Sequence, residues 1–225
     1  MVSASDDLAV AFAELARSLE HHADSADTIE DIVQSAIQLI PGAEAASISA
    51  VVDGREVVSE AASSEMARLI DGVQTQAGEG PCLESIRDET TTRVPDMRTE
   101  QRWPNFARRA SELGAGSMLS FHLFVVDDNL GSLNLFSSKP QAFGQESEHV
   151  GALFAAHAAV ALAATRGQEQ LVQALTTRDL IGQAKGILME RHKINGNVAF
   201  GLLARYSQQR NIKLRDLAEE IVSEY

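Results

Sequence analysis

The chain has a single cysteine, Cys82, among 225 residues. One thiol excludes an internal disulfide framework and any metal site built on several cysteines. Long apolar runs are missing as well. A membrane span needs about 20 uninterrupted apolar residues, whereas the longest weakly polar run here, GALFAAHAAVALAA (151–164), is alanine-rich and holds His157. The first residues lack the basic start and apolar core of a secretory signal. A cytoplasmic protein with no membrane partner is expected. Proline is scarce, five in all, and absent from Gln141 onward, so nothing interrupts helix formation in the last third of the chain on that account. Basic residues are outnumbered, 19 Lys+Arg against 32 Asp+Glu for a net charge of −13, which at first sight argues against nucleic acid.

The distribution of charge reverses that impression. Residues 166–225 hold 9 Lys+Arg and 7 Asp+Glu, a balance of +2, and the rest of the chain holds 10 and 25, a balance of −15. Within 178–215 there are eight basic residues (Arg178, Lys185, Arg191, Lys193, Arg205, Arg210, Lys213, Arg215) and two acidic ones (Asp179, Glu190). An acidic body with a basic C-terminal module is one reading, and an ordinary solvated helical surface is the other.

Periodicity organises the body. Leu8, Phe12, Leu15, Ala16 and Leu19 share a helical face within 6–20, as do Ile29, Ile32, Val33, Ala36, Ile37 and Ile40 within 28–40. Ser25 and Asp27 are candidate N-caps for the second helix, and Pro41-Gly42 is its stop. The period then changes to two: AASISAVV (45–52), the turn signal Asp53-Gly54 and EVVSEAA (56–62) make a hairpin. A short helix near 64–72, a helical turn at 81–87 and a strand near 91–95 follow. WPNFARRASELG (103–114) reads as a helix with Pro104 in its first turn. SMLSFHLFVV and GSLNLFSS form a second hairpin across DDNLG. This pattern specifies an α+β domain on an antiparallel sheet. Beyond it, Val150, Phe154, His157, Ala161, Ala164, Gln168, Leu171 and Leu175 keep heptad spacing, which points to a helix packing against a second copy of the chain.

The C-terminal sixty residues read as three helices: A (176–192) with Ile181, Ala184 and Leu188 inward, B (197–209) with Ala199, Leu202, Leu203 and Tyr206, and C (213–225) with Leu214, Leu217, Ala218, Ile221 and Val222. Asn195-Gly196 separates the first two. No stripe can be buried alone, so a compact all-α unit results. Helix A carries Gly182 and Gly186, each costing about 1 kcal/mol relative to alanine in a helix interior. With Ile181 at the centre of the inner face, Lys185 lies about 40° away, Arg178 about 60°, Gly182 about 100° and Gly186 about 140°. The glycines thus form a bare strip beside two cations, suited to a crossing helix or to a nucleic-acid backbone.

AKGILMERHKI followed by AFGLLARYSQQRNIKLRDLAEEIV resembles the ANTAR (antitermination regulator) domain. The matching residues are Ala184-Lys185-Gly186-Ile187-Leu188-Met189, Ala199-Phe200-Gly201-Leu202-Leu203 and Asn211-Ile212-Lys213-Leu214-Arg215, then Ala218; Tyr206 stands where small residues are common. The resemblance implies a three-helix module that acts in pairs on two adjacent hairpins of a nascent transcript and keeps a terminator from forming. The resemblance favours surface contact for Lys185, and with the charge pattern the expected RNA-binding residues are Arg178, Gly182, Lys185, Gly186, Met189, Arg191, Arg210, Asn211, Lys213 and Arg215. QAGEGPCLESI and VPDMRTEQRWPNF resemble GAF domains, which implies a sensor or dimerisation domain with room for a small-molecule ligand. The adjacent asparagine-lysine-phenylalanine-aspartate-glutamate signature of cyclic-nucleotide-binding GAF domains is not present.

The expected division is a 1–24 N-terminal helix, a 25–165 GAF-like domain and a 166–225 RNA-binding domain, in a homodimer without cofactor, metal or catalytic residues. Cys82 is a candidate redox switch or a small buried apolar residue. His122, His149 and His157 have no partner at metal spacing. Trp103 and Phe106 are candidates for a ligand pocket or for core packing, and Glu79 for a general base or a loop residue. Two other functions fit the pattern: a GAF-type sensor whose tail only dimerises or docks a protein, and a DNA-binding helix-turn-helix. The acidic composition of helix C beyond Arg215 suits a major groove less well than an RNA loop.

Overall fold

The computed structural model describes residues 24–52, 56–88, 91–126 and 128–224. The expected N-terminal helix at 1–24 therefore falls outside them except for Asp24, as does the Asp53-Gly54 turn. Helix α1 (Ser25–Leu39) is capped by Asp24, whose carboxylate accepts from Ala26 N at 2.8 Å. The cap is thus neither Ser25 nor Asp27. Asp27 instead occupies the first turn, where its charge complements the helix dipole.

Strands β1 (Ala45–Val52) and β2 (Glu56–Ala62) form the first hairpin, and helices α2 (Glu65–Ala77) and α3 (Pro81–Asp88) lead to β3 (Thr92–Val94). Helix α4 (Pro104–Glu112) precedes the second hairpin, β4 (Ser117–Val125) and β5 (Asp128–Ser137). The five strands run in the order β2-β1-β5-β4-β3, each neighbour antiparallel. Both long hairpins follow the alternation of the sequence, and the fold is α+β.

That alternation feeds two cores. Ile48, Leu119, Phe121, Leu123, Leu133 and Leu135 pack with Ile32 and Val33 of α1 and with the start of a long helix, α5 (Gln145–His192). On the other face Met118 and Phe136 meet Ile70 and Val73 of α2 and Phe106 and Ala110 of α4. Each large apolar side chain buried in this way contributes roughly 1.5–3 kcal/mol.

The heptad seam does not survive as one surface. Val150 and Phe154 are buried in the sheet core together with Ala158 and Leu162, whereas Leu171 and Leu175 are 62% and 53% exposed. Alanines at 155, 158 and 159 let α5 sit low on the sheet. Gly151 takes this furthest, since a Cβ there would overlap the Phe121 ring. Periodicity alone does not distinguish a partner within the chain from a second copy. Part of α5 is long and apolar enough to cross a membrane by length and composition, but Phe154, Ala158 and Leu162 of that stretch are spent on the sheet.

The chain divides into two compact units, one ending at Arg166 and the other spanning 167–225. In the second, the expected separate helix A is the end of α5, followed by α6 (Gly196–Arg210) and α7 (Leu214–Ser223). Lys193, at φ 54°, turns the chain after α5. Asn195 then starts α6 by accepting from Asn197 N and Val198 N, both at 3.1 Å, so it caps the helix that follows. Asn211 ends α6 in the left-handed region at φ 52°, a conformation asparagine tolerates better than most residues. Ala184, Leu203, Leu217 and Ala218 form the buried centre of this unit, flanked by Ile181, Leu188, Leu214 and Ile221.

Candidate nucleic-acid interface

On α5 of the C-terminal unit, Arg178, Gly182, Lys185, Gly186 and Met189 lie within about 100° of one another, at about 100° per residue. Arg191 projects about 180° from Gly182 by the same measure. The candidate site is therefore one α5 strip plus the α6–α7 junction, with Arg191 on a separate face.

The strip is bare in the literal sense. A Cβ at Gly182 or at Gly186 would meet nothing within 4 Å. Neither glycine serves a helix crossing inside the unit. Lys185 is half-buried because its stem and that of Met189 run past the start of α6. A Cβ at Gly196 would lie 3.6 Å from Lys185 Cε, 3.7 Å from its Nζ and 3.5 Å from Met189 Sδ. Packing thus sets the course of both side chains beside the strip.

The cations divide into two groups. Arg210 donates to Glu220 through both terminal nitrogens, at 2.5 and 3.2 Å, and this carboxylate holds its pKa above the ordinary arginine value. Arg215 Nε donates to Asp216 at 3.1 Å, and Lys193 to Glu190 at 2.5 Å. Among the described residues, Arg178, Lys185, Arg191, Arg205 and Lys213 pair with no acid. Exposed pairs of the first kind are worth about 0–1 kcal/mol, so a phosphate can replace the carboxylate at small cost. Asn211 is the left-handed cap of α6, its N–H directed at Gln208 O and Ser207 O.

In the sheet unit the structure assembles a cluster that periodicity passed over. Ser49, Ser120, Ser132 and Asn134 occupy strand positions opposite the apolar face, where alternation alone reads as solvent, yet all are buried, as are Asp71 and Gln74 of α2 and Cys82 of α3. Asn134 Nδ2 donates to Asp71 Oδ1 at 3.1 Å and to Ser49 Oγ at 2.9 Å, while its Oδ1 accepts from Ser120 Oγ at 2.7 Å and from Cys82 Sγ at 3.2 Å. Gln74 holds Cys82 from both sides, accepting from its N–H at 2.8 Å and donating to its sulfur at 3.0 Å. Burial raises the Asp71 pKa to about 6 against the opposing pull of Ser59, Ser47 and Asn134. Burial first, and then the Asp71 charge, push the Cys82 thiol up to about 11. A thiol held protonated in this way is a poor nucleophile, so the cysteine is a structural member of the cluster.

Glu79 is neither base nor idle loop. Its Oε1 accepts from Asn105 N at 2.6 Å and Phe106 N at 3.1 Å, capping α4, whose own N-cap Trp103 makes no side-chain bond. Trp103 and Phe106 belong to the core. His122 is half-buried, with Nε2 2.9 Å from Asn129 Oδ1 and its ring stacked on Phe124.

Family models match the chain twice: a GAF domain over residues 22–163 and an ANTAR domain over 169–222. The chain is a GAF-domain protein that carries a C-terminal ANTAR domain. This is a regulatory architecture, associated with RNA binding, transcription regulation and signal transduction. No curated protein matches the chain. Among solved structures, the GAF domain of a phosphoenolpyruvate-protein phosphotransferase from Coxiella burnetii is 17% identical with a TM-score of 0.57, covering 75% of this chain and 99% of that one. A free methionine-R-sulfoxide reductase from Neisseria meningitidis, solved with its substrate, is 15% identical with a TM-score of 0.57, covering 74% and 96%. The GAF domain of the cyanobacteriochrome TePixJ is 17% identical with a TM-score of 0.52, covering 66% and 94%. Identities this low establish the shared GAF fold and nothing about chemistry.

Proposed function

We propose that this GAF–ANTAR protein is a cytoplasmic, signal-responsive antitermination regulator that binds paired hairpins in nascent RNA as a homodimer and prevents terminator formation. Residues 25–165 sense, residues 166–225 bind RNA, and the helix around 145–175 pairs two copies with help from residues 6–20. The observation that carries this reading is the open Gly182–Gly186 strip beside unpaired Arg178 and Lys185. Two helix-interior glycines cost about 2 kcal/mol together, and nothing within the unit uses the space they leave. A phosphate backbone drawn in by flanking cations does. Arg210, Asn211, Lys213 and Arg215 extend the contact at the α6–α7 junction, with Met189 at the end of the strip and Arg191 reaching a second strand of a folded RNA. Exposed Leu171 and Leu175 provide an apolar surface for a second copy. Two RNA-binding units held together raise the effective concentration of the second hairpin contact. The GAF domain supplies the response to a small-molecule signal.

The test is a gel shift of the full chain with hairpin pairs, single hairpins and duplex DNA. Preference for the pair supports the reading, and preference for duplex DNA sinks it. Lys185→Ala should weaken hairpin binding by about 1–2 kcal/mol as a lost charge-assisted contact. It should also lower the salt dependence by close to one counterion if the contact is to phosphate.

A further inference from the structure

Among the described residues, the core of the C-terminal unit leaves out two large aromatics, Phe200 and Tyr206, the latter 52% exposed although its spacing placed it on the inward stripe. Helix α6 buries Ala199 and Leu203, while Phe200, one position off that face, is 47% exposed. It walls a shallow groove of about 610 Å3 whose other side is one face of α5, including Gln173, Ala174, Thr177, Arg178 and Ile181. The groove lies wholly within the ANTAR unit.

We infer that this groove is a platform for an unpaired RNA base, with Phe200 as the stacking surface and Gln173, Thr177 and Arg178 reading the base edge or its phosphate. The inference rests on the RNA-binding reading above and adds the feature of the RNA that is recognised, a base turned out of a loop. Each lining group has a counterpart in such a base. The phenyl ring and the apolar floor of Ala174 and Ile181 accept a flat π-face, which stacks without regard to sequence. The Gln173 amide is both donor and acceptor, and the Thr177 hydroxyl likewise, as suits the mixed edge of a base splayed from a single-stranded loop. Arg178, which pairs with no acid among the described residues, lies on the face of α5 where the groove meets the glycine strip, so one side chain borders both the proposed backbone contact and the proposed base contact. A bare phosphate would leave the aromatic wall unused. An apolar side chain from a protein partner would bury Gln173, Thr177 and Arg178 without partners, at a cost.

The experiment uses the full chain. A pool of two-stem-loop RNAs with randomised loops is selected for binding, and the tightest member is measured against wild type, Phe200→Leu and Phe200→Tyr, with each loop position in turn made abasic. Leucine keeps the apolar volume and removes the ring; tyrosine keeps the ring. Thermal melts verify that these half-exposed substitutions leave the unit folded. The expected result is that Phe200→Leu weakens binding roughly ten-fold or more, as loss of a stacked base does, with an unchanged salt slope, and that Phe200→Tyr stays within about two-fold of wild type because its face stacks as well. One abasic position should weaken wild type by a similar factor and abolish any further effect of Phe200→Leu, the non-additivity expected of direct contact. Wild-type affinity in Phe200→Leu, or a loss that adds fully to every abasic position, overturns the platform and leaves RNA binding standing. Failure of wild type to retain any RNA from the pool overturns the RNA reading and the platform together.

Discussion

Gly186→Leu separates the two uses a bare helical strip can have. A Cβ at Gly186 meets nothing within 4 Å, so the substitution should cost no packing within the chain. Leucine is the better helix former by close to 1 kcal/mol, and α5 should gain that amount. For a unit spanning 167–225, 1 kcal/mol corresponds to roughly 4–8 °C in melting temperature, an upward shift readable by calorimetry on the transition of the C-terminal unit. RNA affinity should move the other way. A leucine side chain fills the space beside Lys185 and holds a phosphate backbone away from it, so the loss should exceed the 1–2 kcal/mol expected for Lys185→Ala. Gly186→Ala is the graded control, with a similar gain in stability and a smaller loss of affinity. The decisive pair of measurements is melting temperature and affinity per folded molecule on one preparation. A melting temperature lowered by several degrees with affinity unchanged would mean that the strip packs against protein, a second copy included, and the argument from open space would be wrong.

Other expectations follow from the same structure. Gly151→Ala should behave oppositely to Gly186→Ala, destabilising by about 1–3 kcal/mol as an overpacked core does, because its Cβ overlaps the Phe121 ring; a neutral effect in denaturant unfolding would show that α5 lifts off the sheet without cost. Asp71 has a folded pKa of about 6 against an ordinary 3.8, so its contribution is fully present below about pH 4 and is lost as pH rises through 6, by about 3 kcal/mol in total. Asp71→Asn, which keeps an acceptor for Asn134, should remove that dependence, so its stability relative to wild type should rise between pH 4 and 7; parallel stability curves for the two proteins would refute the assignment. Leu171→Ser with Leu175→Ser should shift the chain from dimer to monomer in sedimentation while leaving the melting temperature of the sheet unit unchanged, and a persistent dimer would place pairing elsewhere.

Much of the molecule is local, and local features are legible in sequence. The two hairpins follow from period-two alternation, and the sheet unit's α+β class from their placement between helices. The three C-terminal stripes define a bundle because none can be buried alone. The glycine strip and its flanking cations follow from 100° per residue and nothing more. What required tertiary structure is the identity of the partner on each face. The 150–175 heptad looked like one seam, but the sheet consumes Val150 and Phe154 while Leu171 and Leu175 stay exposed, because spacing encodes a face and not what covers it. Alternation placed Ser49, Ser120 and Asn134 on a polar face, yet α2 and α3 cover that face and turn it into a buried network around Asp71. Glu79 caps a helix 26 residues ahead, and Phe200 shares a groove with residues more than twenty positions before it. These contacts join positions distant in the chain. Propensity and periodicity act over a few residues, so only the folded chain decides them.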